Sequence, residues 1–164
     1  MSCKVVEMKC PGCGARVSIG QQECAYCHKP VIITTVNSLN EIGLPELNKY
    51  VSSYNEILNK NPDESIVSAS LALCFFKLGR YDQAIDALQK AQVHNIENSE
   101  LLFYEAIAIF KGKKPFLVPR DIIKRALESL DAAIMIEPKG IYYYFMAYIK
   151  YDSNSKQKWP MEMR

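Results

Sequence analysis

The chain has 164 residues, which is enough for one ordinary domain or for one small and one medium domain, and excludes a large enzyme with separate substrate and cofactor lobes. Its 20 lysines and arginines nearly balance 18 aspartates and glutamates, so the formal net charge of +2 gives no global signature for nucleic acid or for an anionic membrane. No run approaches the roughly 18 apolar residues that suggest a membrane span, and we expect a cytoplasmic protein with no membrane partner.

Four of the six cysteines lie close together in the stretch CPGCGARVSIGQQECAYC, residues 10–27. Two residues separate Cys10 from Cys13 and Cys24 from Cys27, and ten residues lie between the two pairs. A two-residue gap lets both thiolates of a pair bind one ion from a tight turn, and two such turns complete a tetrahedral four-sulfur site. In a reducing compartment this clustering favours metal over disulfides. We therefore predict a structural Zn2+ ion bound by these four cysteines.

The residues around the cysteines suit such a site. Gly12 and Gly14 fit turns that need positive φ or close backbone approach, and residues 15–19 alternate like a short strand. The segment resembles a zinc ribbon over roughly residues 8 to 33, and that resemblance implies a fold held by its metal. A closed four-cysteine site leaves no position for a catalytic water, and the pairs lack the βαβ context of a thioredoxin-like motif. A thiol switch that releases zinc on oxidation is a remote alternative.

A helical repeat follows. In FFKLGRYDQAIDALQKAQVHNIEN, residues 75–98, Gly79 marks a turn, and apolar residues recur after it at helical spacing. The template Ala84, Leu88, Ala91 and Ile96 recurs 42 residues later as Ala126, Leu130, Ala133 and Pro138, and loosely 34 residues earlier as Tyr50, Tyr54, Ile57 and Pro62. The pattern resembles the tetratricopeptide repeat (TPR), a 34-residue helix-turn-helix unit. The best copy is residues 65–98, where Ala72 is the expected small residue but Ser68 replaces the expected aromatic.

We predict a mainly α fold, an antiparallel helix-pair (TPR-like) α-solenoid of about two and a half to three repeats, preceded by a small β zinc ribbon. The expected helices are 45–60, 65–78, 81–94, 99–111, about 120–136 and about 140–152. The expected domains are a zinc ribbon (1–33), a linker (34–44), a helical repeat domain (45–155) and a polar tail (156–164). The last helix, IYYYFMAYIKY (141–151), is apolar almost all round, which predicts that it is buried. Trp159 of the tail, a second copy of the chain or further repeats would cover it.

The TPR resemblance implies a concave groove, lined by the first helices of successive pairs, that binds an extended peptide or a helix. The partner-binding residues that it implies are Leu73, Phe76, Lys77, Phe103, Ile107, Phe110, Lys111 and Tyr143. Simple core packing is an alternative interpretation of the phenylalanines. A clamp for chaperone tails would need Lys and Asn where this chain has Ala69 and Leu73, so that activity is not predicted.

A basic insertion separates the helices of the later pair. Residues 111–125 contain six cations and one acid, a local net charge of +5. The candidate anion or nucleic-acid contacts are Lys113, Lys114, Arg120, Lys124 and Arg125. A solvated surface loop is the simpler interpretation, because no stacking platform accompanies these charges.

The functional prediction follows from these parts. No catalytic pair and no phosphate-binding glycine motif occurs, so we expect no enzyme. We predict a zinc-binding adaptor or scaffold that binds a protein or peptide partner, and a homo-oligomer through the last helix is a further expectation. The alternative is a nucleic-acid-associated regulator that uses the zinc ribbon and the basic loop 111–125.

Overall fold

The computed structural model describes residues 6–40, 42–93, 95 and 97–154. In this part of the chain the strands β1 (Glu7–Lys9) and β2 (Arg16–Ser18) precede the helices α1 (Leu44–Lys60), α2 (Ser65–Lys77), α3 (Tyr81–Val93), α4 (Ser99–Ile109), α5 (Arg120–Ile136) and α6 (Gly140–Asn154). Each helix begins and ends within about two residues of its expected bounds. The described residues fall into two compact units, divided between Ile96 and Glu97. The predicted tail with Trp159 lies outside the described residues.

The first unit begins with a small hairpin. β1 and β2 pair antiparallel, with Met8 opposite Val17, and these two side chains point inward and are buried. Their neighbours Lys9 and Arg16 are exposed, as the period of two along a strand requires. The hairpin therefore has one apolar face, although it is only three residue pairs long.

The helices of the first unit follow the apolar spacing of the sequence. α1 buries Leu47, Tyr50, Val51, Tyr54 and Ile57, which recur every three or four residues and so lie on one face. α2 packs between α1 and α3, and the chain turns from α2 to α3 at Gly79. Gly79 has φ +71°, a left-handed conformation that glycine adopts without a steric penalty.

A short bent segment, the strap (residues 30–33), connects the cysteines to these helices. Its three apolar side chains, Val31, Ile32 and Ile33, are all buried. Hydroxyl groups of α1 and α2 donate to its carbonyl oxygens: Tyr50 to Pro30 at 2.8 Å, Tyr54 to Val31 at 2.9 Å and Ser70 to Ile33 at 2.9 Å. The strap thus joins the cysteine segment and the helices within one unit.

The second unit consists of α4, α5 and α6, with a single 3-10 turn (Pro115–Leu117) in the insertion between α4 and α5. Its core contains an aromatic cluster in which Phe103 lies 4.9 Å from Tyr142 and 6.0 Å from Phe145, measured between ring centroids. Phe110 joins the cluster at 6.1 Å from Phe145. These edge and tilted contacts connect α4 to α6 and fix which side of α6 faces inward.

The prediction that α6 is covered stays a prediction, because within one copy of the chain the described residues bury only part of its surface. Tyr142 and Ile149 are 1% and 0% exposed, but Tyr144 is 71% and Tyr151 81% exposed. The reason is that its neighbours in the second unit cover one side only, and no helix follows α6 among the residues that the structure describes.

Candidate metal centre and partner-binding residues

The four predicted cysteine ligands come together in the first unit. Their sulfur atoms all lie within 4.8 Å of one another. Cys10 Sγ is 3.5 Å from Cys27 Sγ, and Cys13 Sγ is 3.7 Å from Cys24 Sγ. A tetrahedral ion with metal–sulfur bonds of about 2.3 Å separates its ligands by about 3.8 Å. The cluster therefore has the size that a four-thiolate metal site requires, and it could hold a metal ion.

Two equivalent turns present these sulfurs. In the first, the Cys10 N–H donates to the carbonyl oxygen five residues later, and the Gly14 N–H donates back to the Cys10 oxygen. In the second, the Cys24 N–H donates to the Lys29 oxygen, and the His28 N–H donates back to the Cys24 oxygen. Gly14 and His28 occupy the same place in the two turns, and both have positive φ, +79° and +56°. His28 is thus a turn residue with an exposed side chain, outside the four-sulfur cluster.

Gly12 lets the first cysteine turn approach the second one closely. A Cβ at this position would lie 3.2 Å from Cys27 Sγ and 2.9 Å from Lys29 Cδ. The first turn therefore presses against the second at the point where one of the candidate ligands sits.

The thiols differ in how easily they lose their protons. Backbone N–H groups of Tyr26 and then Cys27 lower the pKa of Cys24 to about 6, whereas burial raises the pKa of Cys10 to about 12. Metal ligation requires thiolates, so an ion at this site would displace the proton that burial keeps on Cys10. Four protein ligands close the coordination sphere, which suits a structural role and leaves no position for a reacting water.

The groove residues of the first unit lie on α2 or at its end. Leu73 is only 3% exposed, so its side chain packs in the core and offers no surface to a partner. Phe76 is half-buried, with its ring edge-on to Tyr81 at 5.8 Å. Lys77 is exposed, and its Nζ donates to Asn40 Oδ1 at 3.0 Å. Of the three, Phe76 and Lys77 have surface to offer a partner.

The predicted groove residues of the second unit likewise include both buried and exposed side chains. Phe110, at the end of α4, is 4% exposed and belongs to the aromatic cluster. Phe103 and Ile107 are half-buried, Lys111 is exposed, and Tyr143 of α6 is 51% exposed. Sequence reasoning could not separate the buried from the accessible members, because both types recur at the same helical spacing.

All five basic candidates are exposed: Lys113, Lys114, Arg120, Lys124 and Arg125. Acidic residues lie next to some of these basic residues. Lys124 pairs with Glu128 at 3.7 Å, and Glu128 and Asp131 line the same cleft of about 770 Å3 as Arg120 and Lys124. The positive charge of the insertion is therefore partly balanced where it meets α5.

Two features of the surface escaped the sequence analysis. The first is a cleft of about 570 Å3 in the first unit, whose walls include Leu71, Phe75 and Ala87 and to which Ser68 also contributes. A signal existed, because Ser68 replaces the aromatic that the repeat pattern expects. The second is the row of exposed tyrosines Tyr144, Tyr148 and Tyr151 on α6, a helix for which the sequence analysis named only Tyr143.

No protein-family model matches the chain, and no curated protein matches it. Solved structures do. The first TPR domain of human RPAP3 is 15% identical, with a TM-score of 0.58, covering 74% of this chain and 89% of that one. The TPR domain of Arabidopsis OM64 is 18% identical, with a TM-score of 0.57 and coverages of 71% and 88%. The first TPR of Spaghetti (RPAP3), solved with an HSP90 peptide, is 14% identical, with a TM-score of 0.57 and coverages of 71% and 85%.

At these identities the likeness shows the fold alone. None of the described helices has both the length and the apolar character that crossing a membrane requires. The predicted fold class, a TPR-like helical repeat preceded by a small antiparallel β element, is confirmed. The chain thus has the TPR fold, with a cluster of four cysteines close to its amino-terminal end.

Proposed function

We propose that this protein is a non-enzymatic adaptor that binds a protein or peptide partner through its TPR-like helices. The observation that carries the proposal is the outer face of α2. Ile66, Ala69 and Phe76 lie on one side of α2, with the buried Leu73 between the last two, and Lys77 ends the helix. None of Ile66, Ala69, Phe76 and Lys77 is buried, and Ile66 is 52% exposed. An apolar strip that ends in a cation suits a peptide with bulky apolar residues and an acid.

The partner differs from the chaperone peptides seen with the solved relatives. Two RPAP3 structures contain bound HSP90 and HSP70 peptides, SRMEEVD and SGPTIEEVD. Such acidic tails are expected to need Lys and Asn at the positions of Ala69 and Leu73, where this chain has apolar residues. We therefore expect a less acidic, more apolar ligand.

We propose further that the four cysteines bind a structural zinc ion. The sulfur cluster supports this, and so does the small number of other buried side chains in residues 6–29, namely Met8, Pro11 and Val17. Metal binding can supply on the order of 10–16 kcal/mol to such a small fold. Thiolate sites of this kind persist in reducing compartments, so we place the protein in the cytoplasm.

The test begins with affinity purification of the tagged chain and two variants. Ile66→Glu places a charge on the outer face of α2, whereas Val93→Glu makes the same kind of change on α3, where Val93 is 67% exposed. If a partner is lost only with Ile66→Glu, its binding segment is made as a synthetic peptide. The affinity of this peptide for wild type and for both variants is then measured by titration. We expect Ile66→Glu to weaken the peptide at least tenfold. Equal binding by wild type and Ile66→Glu would rule out the α2 face as the binding site.

Nucleic-acid binding is the alternative, and the exposure of all five basic candidates favours it. It predicts a mobility shift at low salt that weakens steeply as salt rises. Lys113→Glu and Lys114→Glu should reduce that shift, because each removes a phosphate contact. If micromolar protein gives no shift at low salt, the alternative fails.

A further inference from the structure

One side of α6 presents a continuous apolar stripe to solvent. The α6 stripe consists of Ile141, Tyr144, Tyr148 and Tyr151, which are 52%, 71%, 37% and 81% exposed. Their spacing of three, four and three residues places them in one row along the helix, about 15 Å long at 1.5 Å per residue. None of the four residues is charged, and the half-buried Asp152, four residues after Tyr148, borders the row at its carboxyl end. Contiguous apolar surface of this kind marks an interaction site.

The spacing of the stripe residues, three, four and three, is the same in both directions. Ile141 and Tyr151 lie five residues either side of position 146, and Tyr144 and Tyr148 lie two residues either side of it. Two antiparallel copies of α6 would therefore bring Tyr144 against Tyr148 of the second copy, and Ile141 against its Tyr151. A two-fold axis requires such self-complementarity, since the same patch must serve both copies.

The area also fits a second copy. If an aromatic residue offers about 150–250 Å2, the stripe leaves roughly 500 Å2 exposed on each copy. Two stripes would bury about 1,000 Å2 in total, which is the lower limit for a specific interface. The expected dimer is consequently weak and dependent on concentration.

We propose that the α6 stripe is the homodimer interface of this protein. The tyrosines suit this role, because each ring can stack on the other copy while its hydroxyl stays at the wet edge of the interface. The segment beyond α6 matches the stripe less well: its apolar residues Trp159, Met161 and Met163 are spaced by two, which is not the spacing of a helical row. The proposal is independent of the adaptor function, since it concerns another helix.

Sedimentation equilibrium of the full chain, from micromolar to millimolar concentration, tests the proposal. The average mass should rise from 18.7 kDa towards twice that value. Tyr144→Glu combined with Tyr151→Glu should raise the dissociation constant at least tenfold, with an unchanged helical circular dichroism spectrum because both side chains are exposed. Val93→Glu is the matched control: Val93 is 67% exposed but lies in the first unit, and this variant should still dimerise.

Three results would overturn the proposal. The wild-type mass could stay at 18.7 kDa throughout, or the double variant could dimerise as wild type does. The third result is a wild-type chain that stays monomeric while Trp159→Ala dimerises. The segment beyond α6, and not a second copy, would then cover the stripe.

Discussion

Replacing Tyr54 with phenylalanine would test whether the cysteine cluster and the helices form one cooperative unit. The Tyr54 side chain is fully buried, and its hydroxyl donates to the Val31 carbonyl at 2.9 Å. Tyr54→Phe keeps the ring but leaves that carbonyl without its donor, at a cost of about 1–3 kcal/mol in the free energy of unfolding. If metal binding and strap docking are coupled, the same free energy is lost from metal affinity. Since 1.4 kcal/mol is a factor of ten, zinc should bind roughly 5- to 150-fold more weakly.

The assay has two parts, urea unfolding with zinc present and competition for zinc with a chromogenic chelator. Tyr26→Phe is the control, because it also removes a hydroxyl but from a side chain that is 76% exposed. We expect the control to match wild type in both measurements. The reasoning is refuted if Tyr54→Phe loses stability in urea yet binds zinc as tightly as Tyr26→Phe, because the cysteines would then bind metal independently of α1.

Two further predictions concern a pH dependence and a close contact. Hydrogen bonding from Lys139 lowers the pKa of Glu137 below its ordinary 4.5 in the folded protein. The ionised carboxylate therefore stabilises the fold above about pH 4.5. This stabilisation is lost as the pH falls through the folded-state pKa of Glu137. Glu137→Gln should lower the melting temperature at pH 7, and the difference from wild type should narrow on acidification; a difference that is constant from pH 7 to pH 3 would contradict this. Gly12→Ala should weaken zinc binding, since its Cβ meets Cys27 Sγ at 3.2 Å, whereas Gly20→Ala, whose nearest neighbour is at 3.6 Å, should not; equal chelator titrations of the two variants would count against this contact.

Local geometry explains what the sequence could predict. The cysteine cluster follows from spacing alone, because two residues between ligands already define each turn. The helices likewise follow from apolar periodicity, and every connection between them except that of α3 to α4 contains glycine or proline. β1 was missed because three residues with one buried side chain, Met8, show no measurable period.

Long-range geometry explains what was missed. Tyr50 and Tyr54 fit the repeat template only loosely, and nothing near them in the sequence shows that their hydroxyls hold a strap some 20 residues earlier. Their identity as tyrosine rather than phenylalanine has its reason in that contact. For a related reason, the apolar composition of α6 indicates that the helix should be covered but not which side its neighbours in the second unit leave exposed.

The strap has a consequence for the order of events during protein synthesis. All four cysteines emerge by residue 27, but the hydroxyl donors to the strap belong to residues 50, 54 and 70. At about 5–20 residues per second, the last donor, Ser70, follows Ile33 by roughly 2–7 s. During that interval the turns can already bind metal while Val31, Ile32 and Ile33 still lack the helices that bury them. If the turns bind metal in that interval, the nascent chain carries a metal-bound cysteine cluster beside an exposed apolar strap, to which a ribosome-associated chaperone would bind.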